Sequence, residues 1–123
     1  MKKISGSKNL ARVIAQAAHD TKAKEITVLD LSKISGFTDY FVIASGTSDR
    51  QVQAICDNML AAMHKKDEKP VHPLGVEGYQ KGHWILIDFG SVIAHIFYEE
   101  VRNFYALEKL WGDAPRVRFQ LRY

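Results

Sequence analysis

A chain of 123 residues with 46% hydrophobic and 25% charged content makes one globular domain, large enough to fold without disulfides or a structural metal. Its single cysteine, Cys56, excludes an intramolecular disulfide framework and any zinc site built on two thiolates. The net charge is +3, but Lys2, Lys3 and Lys8 at one end and Arg116, Arg118 and Arg122 at the other leave the body from Asn9 to Pro115 with eleven basic against fourteen acidic residues, a net of −3. A body of that sign is a poor primary nucleic-acid binder.

A first helix is predicted from about Ser7 to Lys22, with Leu10, Val13, Ile14, Ala17 and Ala18 on one face and Arg12, Gln16 and Asp20 away from it. Glu25 to Leu31 is rich in β-branched residues and of strand length. After the Ser35-Gly36 turn signal, Asp39 to Ser45 reads as a second strand, apolar on both faces and therefore inside the sheet. Gly46-Thr47-Ser48 breaks that strand and opens a second helix reaching about Lys66, with Ser48 and Gln51 spaced as a capping box. Val52, Ile55, Cys56, Met59, Leu60 and Met63 form its apolar face.

From Lys65 to Gly82 the chain is polar and carries Pro70, Pro73, Gly75 and Gly78, a long loop with room for one short strand. Trp84 to Phe89, the Gly90-Ser91 turn and Val92 to Phe97 then make a hairpin. A third helix from about Glu99 to Trp111 stops at Gly112, with Pro115 beyond. The tail from Arg116 to Tyr123 alternates polar and apolar residues, the pattern of a short edge strand or of a disordered end. The order αββα-loop-ββα is that of a small single-domain α/β protein, its mixed sheet flanked by helices, with a core over about 7–115 and a basic tail over 116–123.

A two-residue turn at Gly90-Ser91 sets Phe89 opposite Val92 and fixes the parity of the hairpin. One face then carries Ile85, Ile87, Phe89, Val92, Ala94 and Ile96, all apolar, and must be core. The other carries Trp84, Leu86, Asp88, Ile93, His95 and Phe97, an apolar surface with an aromatic rim, a carboxylate and an imidazole. Such a mixture suits a protein-binding surface; a helix of the same domain lying over it is the alternative.

Asp88 and His95 are diagonal neighbours on that face, half of a general-base arrangement. The nucleophile would have to come from Ser45, Thr47 or Ser48, and no Gly-x-Ser-x-Gly elbow presents one. Gly46-Thr47-Ser48 resembles the opening of nucleotidyltransferases, but their chemistry needs two or three metal-holding carboxylates and Asp88 stands alone in its strand. Asp49 would repel phosphate there, so helix capping accounts better for the segment. The five histidines lack metal-ligand spacing, and no cofactor is expected.

The segment from Thr38 through Ala44-Ser45-Gly46-Thr47-Ser48-Asp49-Arg50-Gln51 to Val52 resembles the signature of the ribosomal silencing factors, the Iojap family. Gly75-Val76-Glu77-Gly78, Trp84 to Gly90, Val92 to Phe97, and Arg102 with Phe104 to Trp111 continue the pattern, so the resemblance spans about Leu10 to Pro115. Ser91, where the family often has Asp, and His83, where Gly is common, depart from it, and the tail lies outside it. The resemblance implies a nucleotidyltransferase-like fold without the catalytic carboxylates and a homodimer in the free state. It further implies a non-enzymatic translational repressor that binds the large ribosomal subunit through its fourteenth ribosomal protein, where the small subunit docks; a cytoplasmic location is the expectation for a sequence without a membrane-length apolar stretch. Blocking that docking silences ribosomes when nutrients are scarce. Carried over to this chain, the family's contact residues are Trp84, Asp88, Phe89 and His95, although parity sets Phe89 on the core face. A large-subunit assembly factor and a residual nucleotide-binding enzyme are the competing functions. The basic termini offer a minor contact to ribosomal RNA, and no stretch approaches the roughly 18 apolar residues of a membrane span.

Overall fold

Strand residues Tyr40–Gly46 are buried without exception, and the rest of the molecule is arranged around them. A computed structural model describes residues 2–3, 6–64, 68–69, 71–105, 109 and 111–122. In chain order its elements are β1 (Lys2–Lys3), α1 (Ser7–Asp20), β2 (Lys24–Asp30), β3 (Tyr40–Gly46), α2 (Asp49–Ala61) with a 3₁₀ turn at Ala62–His64, β4 (Glu68–Lys69), β5 (Gly75–Glu77), β6 (Trp84–Asp88), β7 (Val92–Tyr98), α3 (Glu99–Tyr105) and β8 (Arg116–Val117). Six strands form one mixed sheet in the order β5-β6-β7-β3-β2-β8, and β1 pairs with β4 in a separate two-stranded piece. Only β3 and β7 run parallel within the large sheet; the other neighbours are antiparallel. This is the small α/β domain with a flanked mixed sheet that the element order predicts, and β3 lies inside it as its two apolar faces require.

Helices α1 and α2 cover one face of the sheet. Leu10, Ala11, Ile14, Ala15, Ala17 and Ala18 form the buried stripe of α1, while Val52, Ile55, Cys56 and Met59 form that of α2. Both pack on Ile85, Ile87, Val92, Ala94 and Ile96 in the main core. The predicted capping box is present with one change. Ser48 Oγ accepts the Gln51 amide at 3.1 Å, but Gln51 Oε1 reaches the Thr47 amide at 2.6 Å instead of that of Ser48. The same side chain's Nε2 donates to the carbonyls of Thr21 and Lys22, tying the start of α2 to the end of α1.

Helix α1 stops at Asp20, two residues before the predicted end, because Lys22 adopts a left-handed φ of 62°. The Lys22 amide donates to the His19 carbonyl and that of Ala23 to the Ala18 carbonyl, the paired bonds of a Schellman ending without its usual glycine. The hairpin is closed by a turn in which Gly90 has φ 89° and Ser91 does not cross to positive φ, the II′ pattern. The loop after α2 holds the short strand β5, and its residues 65–67 and 70 lie outside the described ones. So do residues 106–108 and 110, on which the expected extension of the third helix to Trp111 falls. The tail opens with a two-residue edge strand, in which Val117 pairs with Val28 and Arg116 with Leu29, and continues without strand structure to Arg122.

Candidate functional site

The register of β6 and β7 sets Trp84 opposite Phe97, Leu86 opposite His95 and Asp88 opposite Ile93, as the two-residue turn dictates. Parity therefore sorts the hairpin as expected. Ile85, Ile87, Phe89, Val92, Ala94 and Ile96 are buried in the main core. On the other face Phe97 packs in a second cluster with Leu29, Leu31, Phe41, Ile43 and Ala114, flanked by Val101 of α3 and by Trp111. The domain's own chain thus covers part of this face, over Phe97 and His95, and leaves Trp84, Leu86, Asp88 and Ile93 half-buried.

Trp84 stacks on Phe97 with ring centroids 5.2 Å apart, and its indole Nε1 donates to His95 Nδ1 at 3.2 Å. That bond fixes the imidazole as the tautomer protonated on Nε2, an atom that is buried and has no partner among the described residues. With 4% of its surface exposed and Phe41 edge-on at 4.5 Å, His95 sits in an aromatic setting that disfavours charge. Burial lowers its pKa from 6.5 to about 4, so it is neutral at physiological pH. Asp88 accepts the Gly90 amide at 2.8 Å and so shapes the hairpin turn. Of the four residues singled out in the sequence, Trp84, Asp88 and His95 share one face. Phe89, 6% exposed, lies on the other, with its amide bonded to the Val92 carbonyl.

The hydroxyls considered as nucleophiles are engaged elsewhere. Ser45 Oγ accepts from the buried Arg102 at 2.7 Å, Thr47 and Ser48 serve the cap of α2, and His95 is bonded to Trp84. Among the described residues no group of three or more His, Cys, Asp or Glu is placed to hold a metal ion. Cys56 is fully buried in the core, which pushes its thiol up to about 12.

The face extends further than sequence parity within the hairpin reveals. Phe37, 59% exposed, lies 6.3 Å from Phe41 and 6.1 Å from Trp111, and Phe41 lies 5.9 Å from Trp111. These residues continue the aromatic surface from His95 into the loop between β2 and β3. Phe41 pairs with Ile93 in the parallel register and so shares that residue's face, a placement that the hairpin's own parity does not give. Phe37 in an irregular loop gave no signal. The role of Arg102 is likewise invisible in the sequence. Its guanidinium donates to Ser45 Oγ and, at 3.1 Å, to Thr27 Oγ1, and it lies 3.8 Å from the Glu25 carboxylate, locking α3 to β3 and β2.

Fold and face together define a small mixed-sheet α/β domain with a partly open aromatic surface on the side away from α1 and α2. Residues 4–122 match the family model described as ribosomal silencing factor during starvation, a span that includes the basic tail. A relative from Bacillus subtilis named ribosomal silencing factor is 41% identical over 108 residues, 88% of this chain and 89% of the relative. A mouse protein named mitochondrial assembly of ribosomal large subunit protein 1 is 35% identical over 86% of this chain and 46% of its own length. An X-ray structure of a protein from Chromobacterium violaceum superposes with a TM-score of 0.82 at 30% identity, covering 96% of this chain and 95% of that one. The chain belongs to the ribosomal silencing factor family.

Proposed function

We propose that this protein represses translation by binding the large ribosomal subunit through its fourteenth ribosomal protein and occupying the surface where the small subunit docks. Subunit joining is then blocked by steric exclusion, without catalysis and without a cofactor, under nutrient limitation. The observation that carries the reading is the hairpin's second face. A half-buried Trp84, bonded to His95 and stacked on Phe97, opens onto solvent on the face it shares with Leu86, Asp88 and Ile93. An aromatic anchor held rigid by its own neighbours loses little entropy on binding, and such residues carry most of the energy of protein interfaces. The net −3 body suits a basic ribosomal protein. Phe89 contributes from beneath, by setting the turn that Asp88 closes.

In the free state this face pairs with a second copy of the chain, since apolar surface of this kind is otherwise left to water. The experiment is co-sedimentation of the protein with isolated large and small subunits, for the wild type and for Trp84→Ala. The reading expects the wild type on large subunits only and the variant released. A specific observation also favours a second reading, action during large-subunit assembly: the mouse relative bears that role in its name. Binding to immature but not to finished large subunits would select it. The residual nucleotide-binding enzyme predicts stabilisation by nucleoside triphosphate with magnesium in a thermal melt.

A further inference from the structure

The tail from Arg116 to Arg122 is laid over the molecule by a definite set of contacts. After β8 pairs with β2, its side chains alternate: Val117, Phe119 and Leu121 pack against the core, while Arg116, Arg118, Gln120 and Arg122 are exposed. Helix α1 runs beside it. The Arg12 guanidinium stands over the Phe119 ring at 5.9 Å. One turn further on, Gln16 clamps the end of the tail: its Nε2 donates to the Arg122 carbonyl at 2.8 Å and its Oε1 accepts the Arg122 amide at 2.9 Å. Lys8, one turn before Arg12, is exposed, and it adds a small part to the lowering of the Asp30 carboxyl that the Ser32 hydrogen bonds chiefly cause. The result is two adjacent rows of cations on a fixed backbone.

Of the acids on these elements, Asp30 accepts from the Ser32 amide and hydroxyl, Asp20 accepts from Gln16, and Glu25 faces Arg102. Asp30 and Asp20 keep their charge, and against them stand Lys8, Arg12, Arg116, Arg118 and Arg122. Against a body of net −3, the clustering of three arginines in seven residues is a sorted charge, and arginine forks match phosphate oxygens in geometry. Sequence position alone makes such a tail a solubilising end; docking at period two with every arginine on the outer side makes it a surface.

We propose that the docked tail and the neighbouring flank of α1 form a phosphate-binding edge that takes the backbone of RNA. The contact is electrostatic and indifferent to base sequence, and it holds whether or not the aromatic face takes a ribosomal protein. The test is fluorescence anisotropy with a labelled RNA duplex of about 20 base pairs, titrated between about 50 and 200 mM salt. Wild-type affinity is expected to fall steeply with salt. The variant Arg12→Gln/Arg118→Gln/Arg122→Gln should bind at least tenfold more weakly at low salt, with a log–log salt slope shallower by about 2–3. Arg12→Lys/Arg118→Lys/Arg122→Lys should keep most of that slope, which separates charge from packing. An equal number of changes elsewhere, Arg50→Gln/Lys81→Gln/Lys109→Gln, should leave binding within about twofold. A wild-type slope below about one, a glutamine variant that binds like wild type, or a control that loses as much would each overturn the proposal, and binding of acidic peptide in preference to RNA would reassign the edge.

Discussion

At the scale of single residues the molecule turns on His95 and Trp84. His95 is neutral in the fold because burial lowers its pKa to about 4, whereas the unfolded chain titrates near 6.5. A depressed folded pKa means the unfolded state binds the proton more readily. The resulting stability is therefore complete above about pH 6.5 and is lost as pH falls toward 4. Between pH 7 and pH 5 it amounts to about 2 kcal/mol. Urea midpoints at the two pH values should show that loss in the wild type beyond whatever His95→Asn shows; equal losses would count against a buried neutral imidazole. Trp84→Ala removes both the stack on Phe97 and the donor to His95 Nδ1. We expect large-subunit binding to fall by about 2 kcal/mol or more, roughly thirtyfold. Trp84→Phe, which keeps a ring but not the N–H, should recover much of the stability in a thermal melt, so that a binding defect surviving in it is not a folding defect.

At the scale of elements the ends of helices and the pin through α3 matter most. Lys22 closes α1 in a left-handed conformation that an L side chain adopts at a cost of about 1–2 kcal/mol. Lys22→Gly should therefore raise stability by about 0.5–1 kcal/mol after the glycine's own entropy is counted, read from denaturant midpoints. Arg102→Met should lower it by about 2–3 kcal/mol, because Ser45 Oγ, wholly buried, loses its charged donor. Lysine at that position should rescue little, lacking the fork that reaches both Ser45 and Thr27. Gly78 lies at φ 82°, where a Cβ would meet the Trp84 carbonyl oxygen at 2.1 Å, so the β5–β6 pairing needs the glycine the sequence supplies. Much of this scale was legible in advance. The turn residues fixed the hairpin register, and the wholly apolar stretch around Val42 marked the central strand. What escaped were features made by distant segments. Gln51 spends its amide on the end of α1, Arg102 finds hydroxyls on two strands, and Phe37 joins an aromatic cluster that no local period announces. Tail docking escaped for the same reason, since the clamp on Arg122 comes from Gln16, over a hundred residues earlier.

At the scale of the whole molecule, two faces of one sheet are put to different uses. One is sealed by α1 and α2 and holds the fold; the other is only partly covered and presents the aromatic surface. Light scattering at micromolar concentration should give about twice the chain mass of 14.0 kDa, and a clean monomer would remove the pairing from the account. The candidate contact residues were legible to the extent that strand parity governs them: Trp84, Asp88 and His95 fall together, and Phe89 falls on the sealed side. Their partner was legible only through family resemblance, because a sheet face records the chemistry of what it binds and not its name. The central claim is that occupying the large subunit prevents joining, and a gradient assay of joining tests it directly. Purified protein is added to separated subunits under associating conditions. The account predicts fewer joined ribosomes and protein migrating with free large subunits, and it predicts that the Trp84→Ala protein leaves joining undiminished. Undiminished joining with the protein riding on complete ribosomes would contradict it.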